Sequence, residues 1–270
     1  MSFQPIIPSG GLAGWRFLER TFQSQTQAFQ KTPDIARDTD YFEANIGRID
    51  TAQDLVSDRR LLRVALGAFG LDDDINNKFF IRKILDDGVL KDGALANRMS
   101  DDRYKDLTKA FGFGDFSVPR TKLSDFGSEI TAKFRSQQFE VAVGDQDEAL
   151  RLALYAQREL ESLVSGSSSD DIKWFKIMGT PPLRKVFETA LGLPSSIGQL
   201  DIDKQLGIFR GQAKQKLGIS ALSELKLAET RGKLIQTYLL RTQIADVQTA
   251  SAGSIALSLL QSSTFAHTTF

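Results

Sequence analysis

The sequence predicts an all-α protein, an irregular bundle of short and medium-length helices. Apolar residues recur at spacings of three and four in successive segments, and no stretch alternates apolar and polar residues over the length of a strand. Four segments also end alike, with apolar residues around a glycine that suits a left-handed C-cap. These glycines are Gly70, Gly112, Gly192 and Gly218. We therefore expect helices with defined ends, and an arrangement as two similar halves would also fit the pattern.

Residues 57–71, SDRRLLRVALGAFGL, predict a complete helix. Ser57 is a residue type that accepts hydrogen bonds from the free N–H groups of a first turn. Leu61 and Val64 open an apolar face at helical spacing. Gly70 adopts the left-handed conformation without a β-carbon clash, and so ends the helix.

Related patterns recur elsewhere in the chain. Residues 100–113 repeat the Ser-Asp start and the Ala-Phe-Gly stop, and residues 61–71 align with residues 183–193 at an offset of 122. An ancient duplication would produce this similarity, and so would helices that meet the same physical demands.

A capping box is predicted at Thr51 and Asp54, ahead of the apolar residue Leu55.

The chain of 270 residues is long enough for one large domain or two smaller ones. We expect a flexible segment and an amphipathic helix over 1–36, a first helical subdomain over 37–164 and a second over 171–262. The boundary is the small, polar stretch SGSSSD at 165–170. One continuous domain is the alternative.

Two helices near the termini carry apolar seams. The first has aromatic residues spaced by seven, and the second is expected to begin near Ala221 and to reach Ala245. Such seams serve either as ordinary core packing or as contacts with another subunit or a partner protein. We take residues 15–29 and 234–260 as the contact segments. The predicted partner-binding residues are Trp15, Leu18, Phe22, Phe29, Leu234 and Tyr238.

The composition argues against several classes of protein. Thirty-four basic and 34 acidic residues leave no net charge, so no nucleic-acid partner is expected. The chain has no cysteine, and its one histidine, His267, lies close to the end. Cysteine nucleophiles, thiolate metal sites and histidine-dependent triads in the body of the chain are therefore excluded. We predict no catalytic residue and no cofactor, and hence no enzyme.

Residues 72–77 resemble the start of a calcium loop, with oxygen ligands at Asp72, Asp74 and Asn76. However, Asn77 stands where such a loop needs glycine, and Lys83 where it needs a bidentate acid. We interpret the acids as the N-terminus of a helix and predict no metal site.

Arg59, Arg60 and Arg63 form a small basic patch. We expect a solvated face paired with Asp54 or Asp58, although a phosphate or an acidic partner would also suit it.

No run of eighteen apolar residues is present, so no membrane span is expected. The first fifteen residues lack the basic and apolar regions of a cleaved signal peptide. The sequence leaves open whether the protein is cytoplasmic or exported without a cleaved signal.

Residues 39–88, together with SDDRYKDLTKAFGF at 100–113 and GWRFLERT near the N-terminus, resemble an alphaproteobacterial family of unknown function. The strings Asp-Arg-Arg-Leu-Leu and Phe-Ile-Arg-Lys-Ile-Leu mark this resemblance, which covers about residues 10–260. Genes of that family are usually found among flagellar genes. The family has no known chemistry, so no functional residue is transferred.

The resemblance implies a place in the flagellar system. We expect a non-enzymatic structural or assembly protein of the flagellum that acts through helix–helix contacts. Its partner would be a flagellar component or a second copy of the chain. A cytoplasmic adaptor or export chaperone for a flagellar protein is the alternative.

Overall fold

The computed structural model of the chain describes the backbone of residues 3–265 and the side chains of residues 3–248. This part contains thirteen α-helices and no strand, which confirms the all-α prediction. The helices are α1 (Gly11–Gln30), α2 (Pro33–Asn45), α3 (Ala52–Ser57), α4 (Arg59–Gly67), α5 (Lys78–Asp87), α6 (Leu95–Arg98), α7 (Asp102–Phe111), α8 (Phe126–Gly144), α9 (Glu148–Ser165), α10 (Asp170–Gly179), α11 (Pro181–Leu191), α12 (Ile202–Gln212) and α13 (Ala228–Phe265). His267 lies outside the described residues.

The four predicted glycine stops are confirmed. Gly70, Gly112, Gly192 and Gly218 have φ angles of +67°, +69°, +59° and +76°, all in the left-handed region. After Gly70, the N–H of Leu71 donates to the carbonyl of Leu66 at 3.0 Å, which is the 6→1 hydrogen bond of a Schellman motif.

The helix starts are set by aspartate rather than by serine. Asp58, not Ser57, caps α4, and its carboxylate accepts from the N–H of Leu61 at 3.1 Å. Asp101, not Ser100, caps α7 in the same way. A carboxylate also interacts favourably with the positive end of the helix dipole, so the charged group is the better cap. Ser57 instead ends α3, which begins at the predicted capping box of Thr51 and Asp54.

One hydrophobic core runs through the molecule, and α9 lies near its centre. This helix packs against α1, α8, α11 and α13. Residues from both predicted subdomains join the same cluster, such as Phe42 and Phe134 from the first and Trp174 and Phe209 from the second. Residues 166–169 therefore form a connection between packed helices.

Residues 3–10 were expected to be a flexible lead-in, but they are held against the body of the protein. The side chain of Gln25 accepts from the N–H of Ile6 at 2.6 Å and donates to its carbonyl at 3.2 Å. Gln146 donates to the carbonyl of Pro5 at 2.7 Å. The segment is thereby tied to both α1 and the end of α8.

Gly218, which caps the π-helical turn Ala213–Leu217 after α12, allows a direct test of the role of the glycine stops. We expect Gly218→Ala to lower the free energy of unfolding by about 1–2 kcal/mol, because alanine is strained at a left-handed φ. Open space surrounds Gly218, so this cost reflects backbone conformation and not a clash. Urea unfolding followed by circular dichroism measures the change.

Gly207→Ala is the matched control, since Gly207 lies in the interior of α12 with open space at its β-carbon position. It should raise the free energy of unfolding by about 0.5–1 kcal/mol. Equal effects of the two substitutions would contradict the role assigned to Gly218.

Candidate functional site

Five of the six predicted partner-binding residues are buried in the chain's own core. They are Trp15, Leu18, Phe29, Leu234 and Tyr238. The chain's other helices cover both seams, so these five residues take part in ordinary core packing. Buried side chains offer no surface to a partner of the folded chain. Phe22 differs from the rest, because 43% of its surface is exposed.

An exposed apolar stripe lies within the predicted contact segment 234–260, just beyond the two residues predicted by name, Leu234 and Tyr238. Leu239 is the last buried residue of this helix within residues 3–248. After it, Leu240, Ile244 and Val247 are 47%, 57% and 68% exposed. Their spacings of four and three place them on one face of the helix, and we call them the α13 stripe. Their periodicity is readable in the sequence, but their exposure is not.

The C-terminal part of α13 leaves the body beside the N-terminal ends of α1 and α9. Gln243 lies so close to Gly11 that a β-carbon there would overlap its amide. The N–H of Gly11 donates to the carboxylate of Asp147, the N-cap of α9, at 3.4 Å. The α13 backbone continues as a helix to Phe265.

A groove of about 800 Å³ lies between α1, α8 and α9, and we call it the α1–α8–α9 groove. Its apolar lining is formed by Phe22, Phe139 and Leu154. Phe22 meets Phe139 edge-to-face, with ring centroids 5.6 Å apart. The polar residues around this lining are Glu19, Thr26, Gln30, Ser136, Glu140, Gln157, Arg158, Glu161, Ser162 and Ser165.

A buried ion pair joins two walls of the groove. Arg158 of α9 donates to Glu140 of α8 through Nε at 2.7 Å and through Nη2 at 3.1 Å. Gln137 completes the cluster, with its amide oriented so that its oxygen accepts from Arg158 at 2.8 Å and its nitrogen donates to Glu140 at 3.3 Å. Glu159 pairs with the remaining terminal nitrogen of Arg158.

Burial raises the pKa of Glu140 above its ordinary value, while the Arg158 guanidinium acts to lower it. Glu140 is only 5% exposed, and its charge is compensated inside the protein. Breaking such a pair by removing one partner is costly, because it leaves a buried charge alone. The cluster thus holds α8 against α9 and fixes the shape of the groove.

The acids of the calcium-like segment have partners within the chain. Asp72 accepts from the side-chain amide of Gln138 at 2.8 Å. Asp74 accepts from the hydroxyl of Tyr104 at 2.6 Å. Within residues 3–248, no group of three or more histidine, aspartate or glutamate side chains is arranged to hold a metal ion. These acids connect the turn after α4 with α7 and α8.

The basic patch pairs with a different helix from the one expected. Arg63 lies 3.1 Å and Arg60 lies 3.8 Å from the carboxylate of Asp38 on α2, rather than pairing with Asp54 or Asp58. Asp38 is more than twenty residues from Arg60 and Arg63 in the chain, so sequence spacing does not reveal this pairing. The patch holds α4 against α2.

No helix in the described part of the chain has the length and apolar character needed to cross a bilayer.

Together these features define a class of protein: an all-α chain with a shared hydrophobic core, a long C-terminal helix and a groove between α1, α8 and α9. The chain belongs to the family described as protein of unknown function (DUF1217), whose model matches residues 68–227. The matched region includes α8 and α9 of the groove, whereas α1 and α13 lie outside it.

The chain is also similar to a protein of Agrobacterium tumefaciens, an alphaproteobacterium, whose structure was determined by X-ray crystallography. The two are 26% identical, with a TM-score of 0.70, and the match covers 90% of this chain and 99% of the other. No curated protein matches the chain significantly.

The buried pair can be tested by replacing Arg158. We expect Arg158→Met to lower the free energy of unfolding by about 3 kcal/mol at neutral pH, because Glu140 would remain charged and buried. The double variant Glu140→Gln/Arg158→Met should recover most of this loss, since no unpaired charge remains. Urea unfolding of the single and double variants measures both values.

The effect of Arg158→Met should also depend on pH. A carboxyl whose pKa is raised in the folded state favours folding at low pH and loses that contribution as the pH rises through its folded pKa. Without Arg158 the pKa of Glu140 rises further, so the deficit against the wild-type protein should shrink from pH 7 toward pH 4. A deficit that is independent of pH would argue against a charged Glu140.

Arg135→Met is the control, because it breaks a half-exposed ion pair with Glu43. It should lower the free energy of unfolding by less than about 1 kcal/mol.

Proposed function

We propose that this protein is a non-enzymatic structural or assembly component of the bacterial flagellum that acts through helix–helix contacts. The observation that carries the proposal is the α13 stripe, an apolar helical face that is exposed on an extension of the fold. Exposed faces of this kind are typical of helices that pack against a partner.

The non-enzymatic part of the proposal is supported by the groove. Its most strongly buried acid, Glu140, is paired with Arg158 and hydrogen-bonded to Gln137. A general acid or base must instead be free to exchange a proton with a substrate. Glu19 and Glu161, the other acids of the groove, lie in its polar surroundings.

The flagellar part of the proposal rests on the sequence resemblance, since genes of the similar family lie among flagellar genes. The absence of cysteine is compatible with a component that is exported and assembled. The partner would then be a flagellar protein or a second copy of this chain.

A cytoplasmic adaptor or export chaperone is the second candidate, and the α1–α8–α9 groove favours it. An apolar groove with a polar rim suits an amphipathic helix of a client protein. Cell fractionation separates the two candidates. Recovery of the protein with purified basal bodies or filaments supports the structural role, whereas an entirely cytosolic pool supports the adaptor.

The α13 stripe can be tested in cells that lack the native gene and carry a variant copy. We expect Leu240→Asp/Ile244→Asp/Val247→Asp to impair swimming in soft agar, because three buried charges would weaken a helix contact by well over ten-fold. The folded core should survive, since the three side chains are exposed.

Asp246→Lys is the matched control, because it changes the charge at an exposed position of the same helix that lies on a different face from the stripe. It should swim like the wild-type strain. Normal swimming of the triple variant, at wild-type protein level, would remove the main support for the proposal.

A further inference from the structure

We propose that a polar pocket between α7, α8 and α9 binds a small phosphomonoester. The volume of this pocket, which we call the α7–α8–α9 pocket, is about 380 Å³ and lies within the usual range for small-molecule sites. The residues that would bind the phosphate group are Lys109 of α7, Arg120 in the segment after α7 and Tyr155 of α9. The proposal goes beyond the helix contacts of the proposed function, because among the described residues none from α1 or α13 lines the pocket.

The side chains that line the pocket carry more positive than negative charge. The basic ones are Arg103, Lys109, Arg120, Lys133 and Arg158, and the acidic ones are Asp106, Glu129 and Glu159. Each acid already forms an ion pair, and the partners are Lys176 for Asp106, Lys133 for Glu129 and Arg158 for Glu159. This pairing reduces the repulsion that the carboxylates would exert on an anion in the pocket.

Two of the basic side chains have no acid of their own. Arg103 is paired with Asp101 at 2.7 Å, whereas the side chains of Lys109 and Arg120 form neither an ion pair nor a hydrogen bond within the described part of the chain. Arg120 lies beside the C-terminal end of α7, since its Cγ is 3.6 Å from the position that a β-carbon on Gly112 would occupy. An anion bound by both cations would offset two like charges at this end of the pocket.

Tyr155 gives independent evidence for a ligand. This residue is only 8% exposed, it lines the pocket, and within residues 3–248 its hydroxyl makes no hydrogen bond. The hydroxyls of Tyr41 and Tyr104, by contrast, donate to carboxylates at 2.7 Å and 2.6 Å. A buried hydroxyl without a partner is costly, because it has lost water and gained nothing in exchange. An acceptor oxygen bound in the pocket would complete this donor.

The donors favour a phosphate group over other anions. A phosphomonoester carries close to two negative charges at neutral pH and several strong acceptor oxygens, which match two unpaired cations and one free hydroxyl. Arginine can bind phosphate oxygens in a bidentate manner, and lysine binds phosphate as a point charge. A carboxylate with a single charge would leave one cation uncompensated. Phe69 and Ala110 also line the pocket and would contact the carbon part of the ester.

The pocket belongs to the part of the chain by which the family is recognised. Its lining residues all lie between 68 and 162, within the matched region 68–227. The α13 stripe lies outside that region. Binding at the pocket and contacts of the stripe are therefore separate properties, and each can fail without the other.

Isothermal titration calorimetry of the full chain tests the site with inorganic phosphate and glycerol phosphate as probes. Sodium chloride at matched ionic strength serves as the blank. We expect saturable binding of both phosphates, with dissociation constants of about 1 mM or tighter. Acetate should bind at least about ten-fold more weakly, because its single charge compensates only one cation.

Three results of this titration overturn the inference. They are the absence of saturable phosphate binding, acetate binding as tight as phosphate binding, and binding of inorganic phosphate without binding of glycerol phosphate.

Tyr155→Phe separates a ligand-binding hydroxyl from a structural one, because it removes only the oxygen. The free energy of unfolding without ligand should not fall, since the hydroxyl has no partner in the described chain. Phosphate binding should weaken by about ten-fold, a usual loss when a hydrogen bond to a charged group is removed. Urea unfolding and calorimetry measure the two effects. Lower stability with unchanged phosphate affinity would contradict the proposed role.

Lys109→Gln and Arg120→Gln test the two cations. Each substitution should weaken phosphate binding by about ten-fold or more, and the fold should persist because both side chains are exposed. Lys185→Gln is the matched control, since it removes an exposed positive charge from α11 that does not line the pocket. It should leave phosphate binding unchanged. Equal losses in all three variants would mean that phosphate responds to the overall charge of the protein, and would overturn the inference.

Discussion

Burial of α9 is the interaction on which the rest of the structure depends. Leu150, Ala153, Ala156, Leu160 and Val164 are completely buried along this helix. Burying one leucine or valine side chain contributes about 1.5–3 kcal/mol, so this face contributes a large share of a typical domain's net stability. Helices from both parts of the chain pack against α9, namely α1 and α8 from before it and α11 and α13 from after it. The two parts of the chain consequently share a single core.

The ion pair of Glu140 and Arg158 adds specificity to that hydrophobic packing. Apolar contacts alone allow neighbouring helices to slide, whereas a bidentate pair with a third partner in Gln137 fits one register of α8 against α9. A buried pair is weak evidence for net stability, because desolvation offsets much of the attraction. The pair sets the position of α8 relative to α9, and these two helices form walls of the groove that Phe139 and Leu154 line.

The proposed contacts with partners depend on apolar side chains that the core leaves exposed. The core is closed around α9, and the exposed apolar side chains include the α13 stripe and Phe22 at the α1–α8–α9 groove, along with others such as Phe79 on α5. The stripe residues are uncharged, whereas Glu19 and Glu161 line the groove. Recognition by the stripe would therefore rest on shape and apolar burial, which act at short range.

The sequence by itself determined the helices and many of their ends. Gly70, Gly192 and Gly218 stop helices because the left-handed conformation is a local property, and the capping box of Thr51 with Asp54 is local as well. Tertiary structure alone decided which apolar faces are covered. The seam of Trp15 and Phe29 is closed by the chain itself, the stripe beginning at Leu240 is left open, and Arg63 finds its acid at Asp38 on another helix. Periodicity shows that a helix has an apolar face, but burial depends on residues far away in the chain that come to lie against it.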